Sequence, residues 1–425
     1  MGNNFNGQLS KRRIRMLKSH KKNIFETLGR SPIHPFPARM APGIALEAIG
    51  DSKTPLRVFD PMVGSGTVLA VARAKGHRAF GVDLDPLAVL LAGVWTRTVD
   101  AEKVTDKATE VLDRARSSFK CLSSGQAYPP TVDEATRKFI QYWFDEYARR
   151  QLAALSAAIG RVHDEATRDA LWCGFSRLII TKSAGASLAM DLSHSRPHRK
   201  FTCAPVKPFN RFISAVEVVV SNCPQFGSEA VGPAAIVKQG DARKLSVEKG
   251  SIDLVLTSPP YLNAIDYMRC SKFSLVWMGY SVNELREIRR ESVGTEASSA
   301  QAVEAEWVKS LIKQLGLKPA LGSRDAALLA QYVWDMGGAL AEVSRILRLG
   351  GRAVYVVGDS TVRGTFVRNS EIVAAVAEEH GLKFHSRHSR ALPDNRRYLP
   401  PPKRNESTLD IRMKREVVLE FRKSA

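Results

Sequence analysis

Leu56-Arg57-Val58-Phe59-Asp60-Pro61-Met62-Val63-Gly64-Ser65-Gly66-Thr67-Val68-Leu69-Ala70-Val71-Ala72-Arg73-Ala74 decides the reading of this chain. A short apolar run, Leu56 to Phe59, predicts a strand. Val68 to Ala74 predicts a helix closed by Gly76. Between them lies a turn built from small residues, where the backbone can come close to a ligand and a helix N-terminus presents free N–H groups. No Lys-Ser/Thr pair follows the second glycine, and the full GxGxxG spacing is missing. The turn is therefore neither a phosphate-cradling P-loop nor a complete dinucleotide fingerprint.

Working outward, Ala79-Phe80-Gly81-Val82 predicts a second strand that runs into Asp83, and Leu87 to Trp95 predicts a helix. This βαβα opening is the usual start of a parallel sheet with crossover helices. Asp83, at a strand end, can accept hydrogen bonds from ribose hydroxyls. Asp85 suits the cap of the next helix better. Strand-like runs resume at Ala235-Ile236-Val237, followed by Gly240-Asp241, and at Ile252 to Leu256, followed by Ser258-Pro259-Pro260-Tyr261. Asp241 can receive the amino group of an adenine ring. Suitable groups at three strand ends point to a nucleoside cofactor lying across the carboxyl edge of a parallel sheet.

The Ser258 to Tyr261 loop carries the chemistry. Two prolines fix φ and stiffen it. The amino nitrogen of a nucleobase is a poor nucleophile because its lone pair is delocalised into the ring. Hydrogen bonds from its N–H groups to Ser258 Oγ and the Pro259 carbonyl would draw it toward tetrahedral geometry, and Tyr261 would stack on the base. Orientation and electrostatics suffice here, without a metal or a covalent intermediate.

The chain has 425 residues, 44% of them hydrophobic, enough for one large α/β core with an inserted subdomain or for two domains. Its formal net charge is +20, which favours an anionic partner such as nucleic acid. No run of about 18 apolar residues predicts a membrane span, and no apolar segment follows the basic N-terminus at signal-peptide range. A soluble, cytoplasmic protein is expected. The five cysteines are scattered and form no CxxC pair, which argues against both a disulfide framework and a zinc site.

Residues 1–30 read as a basic arm, with Lys11, Arg12, Arg13, Arg15, Lys18, Lys21 and Lys22 against the single acid Glu26. Residues 101–234 differ in character from the flanking blocks. Glu134 to Leu155 has helical periodicity, with Phe139, Trp143 and Tyr147 on one face as a core stripe. Arg196, Arg199 and Lys200 fall in a basic stretch that Pro197 should hold as a loop, and they are candidate phosphate contacts. Leu349-Gly350-Gly351 predicts a turn before the strand Ala353 to Val357.

Together these residues resemble the S-adenosylmethionine-dependent amino-methyltransferases, the enzymes that make N4-methylcytosine or N6-methyladenine. Asp60 to Thr67 resembles the first motif of that family, DPFxGSGT, with Met62 in place of Phe. Ser258-Pro259-Pro260-Tyr261 is similar to its catalytic (D/N/S)PPY. His34-Pro35-Phe36-Pro37-Ala38-Arg39-Met40 resembles the motif that packs against the methionine end of the cofactor. The resemblance implies an α/β fold: a Rossmann-like seven-stranded sheet, helices on both faces, one antiparallel strand near an edge, and a mainly helical insertion. Leu382 to His388 and Arg415 to Lys423 would form the closing hairpin. Residues 31–100 and 235–425 would make the methyltransferase domain, and 101–234 an insertion suited to target recognition.

The same resemblance implies S-adenosyl-L-methionine as cofactor, bound by Phe36, Pro37, Asp60, Pro61, Gly64, Ser65, Gly66, Thr67, Asp83 and Asp241. Ser258, Pro259, Pro260 and Tyr261 would be catalytic, and no metal is implied. The substrate would be duplex DNA with the target base flipped out, and a restriction or defence partner is compatible with it. Serine at the first catalytic position favours cytosine N4 over adenine N6. Two other readings are an RNA guanine-N2 methyltransferase and a non-catalytic nucleic-acid-binding protein that keeps the fold.

Overall fold

A computed structural model describes residues 24–37, 39–130, 132–193, 197–226, 232–262, 267–294, 299–316, 322–362, 365–392 and 415–424. Most of the predicted basic arm, Ala38 and Arg196 lie outside these residues.

The apolar runs form the expected sheet. Its strands are β1 (Arg57–Asp60), β2 (Arg78–Asp83), β3 (Ile236–Gln239), β4 (Ile252–Thr257), β5 (Leu347–Gly358), β8 (Leu382–Ala391) and β9 (Arg415–Lys423). Their spatial order is β3-β2-β1-β4-β5-β9-β8. All pairs from β3 to β5 are parallel, whereas β9 runs antiparallel to both β5 and β8. The order reverses between β1 and β4, and the crevice at the carboxyl ends of strands beside such a reversal is where open α/β sheets bind ligands.

The period of two along each strand sorts the side chains into two layers. Val58, Leu254, Leu256, Val354 and Val356 face one cluster with α2 (Pro42–Ile49), which follows the short α1 (Ile24–Leu28), and with α3 (Thr67–Ala74). Phe59, Val255, Ala353, Tyr355 and Val357 face another, with α13 (Glu306–Gln314), which follows the short α12 (Ala300–Glu304), and with α14 (Ser323–Ile346) and α15 (Asn369–Glu379). Both faces are therefore covered, as a parallel sheet requires.

Between β2 and β3 the chain forms α4 (Pro86–Thr96), then α5 (Ala101–Cys121), α6 (Glu134–Trp143), α7 (Glu146–Ile159), α8 (Glu165–Ile179) and α9 (Pro208–Val220). The apolar cluster of this helical layer is continuous with α4 and with α10 (Tyr267–Leu275), through Trp95, Phe144, Phe212, Phe273 and Trp277.

Three details differ from the sequence reading. The periodic stretch 134–155 is two helices, because Asp145 adopts an extended conformation and caps a new helix, accepting from Ala148 N at 3.1 Å. Tyr147 thus leaves the stripe of Phe139 and Trp143 and is 48% exposed. The Gly350-Gly351 turn lies within β5 as an irregularity, its register on β4 jumping from Leu347 to Arg352. Thirdly, β6 (Ser360–Val362) and β7 (Thr365–Val367) form a small separate hairpin. Of the cysteines, Cys173, Cys223 and Cys270 are buried, Cys121 and Cys203 are exposed, and all are free thiols. No helix among the described residues is long and apolar enough to cross a membrane. No group of metal-ligating side chains occurs among them either.

Candidate active site

An open cleft of about 1190 Å³ lies over the carboxyl ends of β1, β2, β3 and β4. It brings together Phe36, Asp60, Pro61, Gly64, Ser65, Thr67, Asp83, Asp241, Ser258 and Pro260, which lie up to 224 positions apart in sequence but at neighbouring strand ends.

The glycine turn owes its shape to two glycines. Gly66 has φ +84°, and a Cβ there would sit 2.9 Å from the Cα of Ala92 on α4. Gly81 lies beneath the turn on β2, where a Cβ would stand 2.3 Å from Val63 Cγ2 and 2.7 Å from the Asp60 carbonyl oxygen. Val63 N donates to Val82 O at 3.1 Å, so the turn is laced to β2 through the space that Gly81 leaves open. Gly81 was visible in sequence only as part of a strand, because nothing local marks what crosses over it.

Asp83 is tied to the turn as well. Its carboxylate accepts from Gly64 N at 2.8 Å and from Asp85 N at 2.9 Å. Asp85 caps α4 as expected, accepting from Leu87 N at 2.9 Å, and its other oxygen accepts from the Ser271 hydroxyl. Asp60 accepts from Met62 N at 3.0 Å. Burial pushes all three carboxyls upward, Asp60 and Asp85 to about 7, and negative charge on Asp83 raises Asp60 and Asp85 further. The cleft of this basic protein is thus lined by the carboxyls of Asp60, Asp83, Asp85 and Asp241 beside the guanidinium groups of Arg39 and Arg289.

This burial has a consequence for stability. A carboxyl whose folded-state pKa exceeds its unfolded value leaves the native state holding more protons. Its stabilising contribution is full below about pH 4 and is lost as the pH rises through 7. Asp85→Asn keeps an acceptor for Leu87 N and cannot ionise. Between about pH 5 and about pH 8 the wild type should lose about 2–3 kcal/mol more unfolding free energy than this variant. Urea unfolding at the two pH values measures the difference, and equal losses would place the Asp85 carboxyl in the ordinary range.

Ser258 follows β4. Its hydroxyl donates to the Val356 carbonyl on β5 at 3.0 Å. With its proton directed there, Oγ keeps its acceptor lone pairs at the cleft it lines. Tyr261 departs from expectation. Its ring packs against the cluster that holds Tyr332 and does not line the cleft, so it is not positioned to stack on a ligand there. Its hydroxyl stands 3.5 Å from Ser258 Oγ, and burial keeps the phenol well above its usual pKa. The aromatic wall is instead Tyr267, whose ring stacks on Phe36 with centroids 6.0 Å apart and planes within 7°. Tyr267, Arg289 and Gly294 were not singled out in sequence, since each lies in a helix or loop with no distinctive local motif.

Phe36 is set by the helical layer. His34 is buried and within 3.0 Å of Ser176 Oγ on α8, and Arg177 Nη1 donates to Ile33 O at 2.8 Å. Burial, then the nearby Arg177 and Arg39 charges, hold the His34 pKa well below its ordinary value, so the ring is neutral. Pro37 is half-buried, and neither it nor Pro259 lines the cleft. Arg199 and Lys200 are exposed and also lie off the cleft, with Arg199 over the Tyr142 ring at 5.4 Å.

No family model matches the chain. The type II methyltransferase M.MvaI of Kocuria varians is 20% identical over 403 residues, covering 89% of this chain and 86% of that protein. The type II methyltransferase M.AvaI of Nostoc sp. is 20% identical over 364 residues, covering 77% and 73%. Among solved structures, an S-adenosylmethionine-dependent methyltransferase of Methanosarcina mazei is 8% identical, covers 88% of this chain and 95% of its own, and has a TM-score of 0.30. The chain is thus similar to type II methyltransferases along most of both chains, and its sheet order and motif order agree with each other.

Proposed function

We propose that the chain methylates the exocyclic amino group of a base in duplex DNA, cytosine N4 first and adenine N6 next. The observation that carries this reading is the Ser258 hydroxyl, whose proton is directed to Val356 and whose lone pairs border the cleft. It is an acceptor held ready for an amino N–H.

The cleft suits the cofactor on its own observations. The Thr67 hydroxyl is buried, lines the cleft and has no hydrogen-bond partner among the described residues. It stands at the first residue of α3, where the leading backbone N–H groups are also unpaired within the helix. Together they suit the carboxylate of a methionine moiety. The carboxyls of Asp60, Asp83 and Asp85 would gain from a ligand that also carries positive charge, which favours their ionised form, and Asp83 and Asp241 would take its ribose and adenine. Phe36, Pro61, Gly64, Ser65 and Gly66 shape the wall around it, with Pro37 behind.

Bound S-adenosylmethionine supplies an electrophilic methyl group. The protein's part is to prepare the nitrogen. Ser258 Oγ accepts one amino N–H, which pulls the lone pair out of conjugation, and the Pro259 carbonyl, set back from the cleft wall, is the proposed acceptor of the other once a base is seated. Pro260 stiffens the loop, and Tyr261 supports Ser258 from behind. A paired base hides its amino group, so the target would be flipped into the cleft, against Tyr267. Arg199 and Lys200 are proposed phosphate contacts, as is Arg196. Inside the cell, a nuclease partner belongs to the same reading.

The test is incubation with methyl-labelled S-adenosylmethionine and either duplex DNA or total RNA, followed by nucleoside mass spectrometry. N4-methylcytosine or N6-methyladenine from DNA is the expected product. Methylguanine from RNA would replace this reading with an RNA guanine-N2 enzyme. Cofactor binding with no transfer to either would favour a nucleic-acid-binding protein that has lost turnover.

A further inference from the structure

Arg243 joins three elements at the wall of the cleft. Its Nε donates to both Asp241 oxygens at 3.0 Å, and Nη2 donates to Asp241 Oδ2 at 2.7 Å. Nη2 also reaches the Glu291 carbonyl at 2.7 Å, at the end of α11 (Val282–Glu291). Nη1 donates to Asp335 Oδ1 on α14 at 2.6 Å, and Gln331 Nε2 donates to the same oxygen at 3.0 Å. The Asp335 side chain is only 1% exposed. Burial works against the Arg243 charge, but hydrogen bonds and charge from Asp241 and Asp335 outweigh it and hold its pKa above the ordinary value.

The geometry fixes what Asp241 can still do. A carboxylate offers about four lone-pair sites. Three N–H groups already point at this one: Arg243 Nε, Arg243 Nη2 and the Arg243 backbone N at 2.8 Å from Oδ1. Because Nε is shared between the two oxygens, these three donors make four contacts, two on each oxygen, and room for one further donor opens only where Nε yields its share; the carboxylate borders the cleft and cannot rotate without breaking the fork. We infer that Arg243 is a positioning residue that presets Asp241 for a single N–H donor and so governs recognition of the 6-amino group of the cofactor's adenine. This rests on the reading above that Asp241 meets that ring. By holding Glu291, Arg243 also fixes the approach to Ser292, Val293 and Gly294, which form the neighbouring wall.

Calorimetry on the purified protein tests this with two probes, S-adenosylhomocysteine and its analogue carrying hydrogen in place of the 6-amino group. Wild type should bind the analogue roughly tenfold more weakly, the loss expected when a partly buried acceptor is left unpaired. Arg243→Lys keeps a cation beside Asp335 but has no planar fork. It should bind S-adenosylhomocysteine roughly tenfold more weakly than wild type and discriminate between the two probes by less than about twofold. A merely structural role would weaken both probes equally and leave the discrimination intact. Arg243→Gln combined with Asp335→Asn removes both charges together, and should lose the discrimination in the same way even if Arg243→Lys does not fold. Full discrimination in either folded variant would overturn the role of Arg243 alone. A wild type that treats the probes alike would overturn the assignment of Asp241 and this inference with it. Neither result depends on which nucleic acid is methylated, so both are separable from the outcome of the nucleoside analysis.

Discussion

Replacing Ser258 by alanine is expected to lower the rate of methyl transfer by about 10²–10³-fold, the range seen when one preorganised hydrogen-bonding group is removed from a reacting centre. The hydroxyl is preorganised in a specific sense. Its bond to the Val356 carbonyl fixes both the rotamer and the direction of its proton, so an incoming amino group meets lone pairs with no reorganisation. Alanine leaves the prolines and the backbone in place, and Ser258 is not among the groups assigned to the cofactor. Cofactor affinity should therefore stay within about twofold while the single-turnover rate collapses. Tyr261→Phe should have a much smaller effect, since that hydroxyl is 3.5 Å from Ser258 and off the cleft wall. Single-turnover kinetics with saturating cofactor make the comparison. If Ser258→Ala transferred methyl groups at the wild-type rate, the amino group would have to be held elsewhere.

A comparably large effect is expected far from the reacting atoms, at Gly81. The Cβ of Gly81→Ala would meet Val63 Cγ2 at 2.3 Å and the Asp60 carbonyl at 2.7 Å, and the second of these is backbone that cannot rotate away. The turn from Asp60 to Thr67 would have to lift off β2, breaking the Val63–Val82 hydrogen bond and shifting Gly64 away from Asp83. Overpacking of this kind typically costs about 1–3 kcal/mol, and loss of the attached hydrogen bonds adds to it. The cofactor cleft is built from the same turn, so affinity should fall by more than about tenfold alongside stability. Gly93→Ala on α4 is the natural control, because a Cβ there meets nothing within 4 Å. In that helical position alanine should be neutral or stabilising by up to about 1 kcal/mol. Chemical unfolding and cofactor titration on the two variants separate these outcomes. A Gly81→Ala protein with wild-type stability and affinity would mean that the turn is not held down on β2.

These expectations show where the sequence was legible. Strands buried on both faces are near-continuous apolar runs, and the βαβα opening has few topologies open to it, so the parallel sheet could be read from the chain, whereas its antiparallel β9 was implied only by the family resemblance. Asp60 to Thr67 and Ser258 to Tyr261 were legible for a related reason: glycine and proline restrict the backbone locally, and their effect does not wait for a distant partner. Asp85 could be read as a cap because a cap is made within three residues.

What depends on distant contacts was not legible. The helical periodicity of 134–155 runs through Asp145, and the break there coincides with a long-range contact, Ala204 N donating to its second oxygen at 2.6 Å. Tyr261 sits beside two prolines in a loop that sequence assigns to the cleft, yet packing against the cluster of Tyr332 turns its ring away. Tyr267 takes the wall because its ring finds Phe36, which is more than 200 positions earlier and is itself placed by His34 against Ser176. The sequence by itself determined the sheet, the order of its motifs and the groups at its strand ends, because each of these is set by residues close in the chain. Only the tertiary structure decided which side chains reach the cleft and how Arg243 holds Asp241, because those positions are set by packing between segments that the sequence does not place side by side.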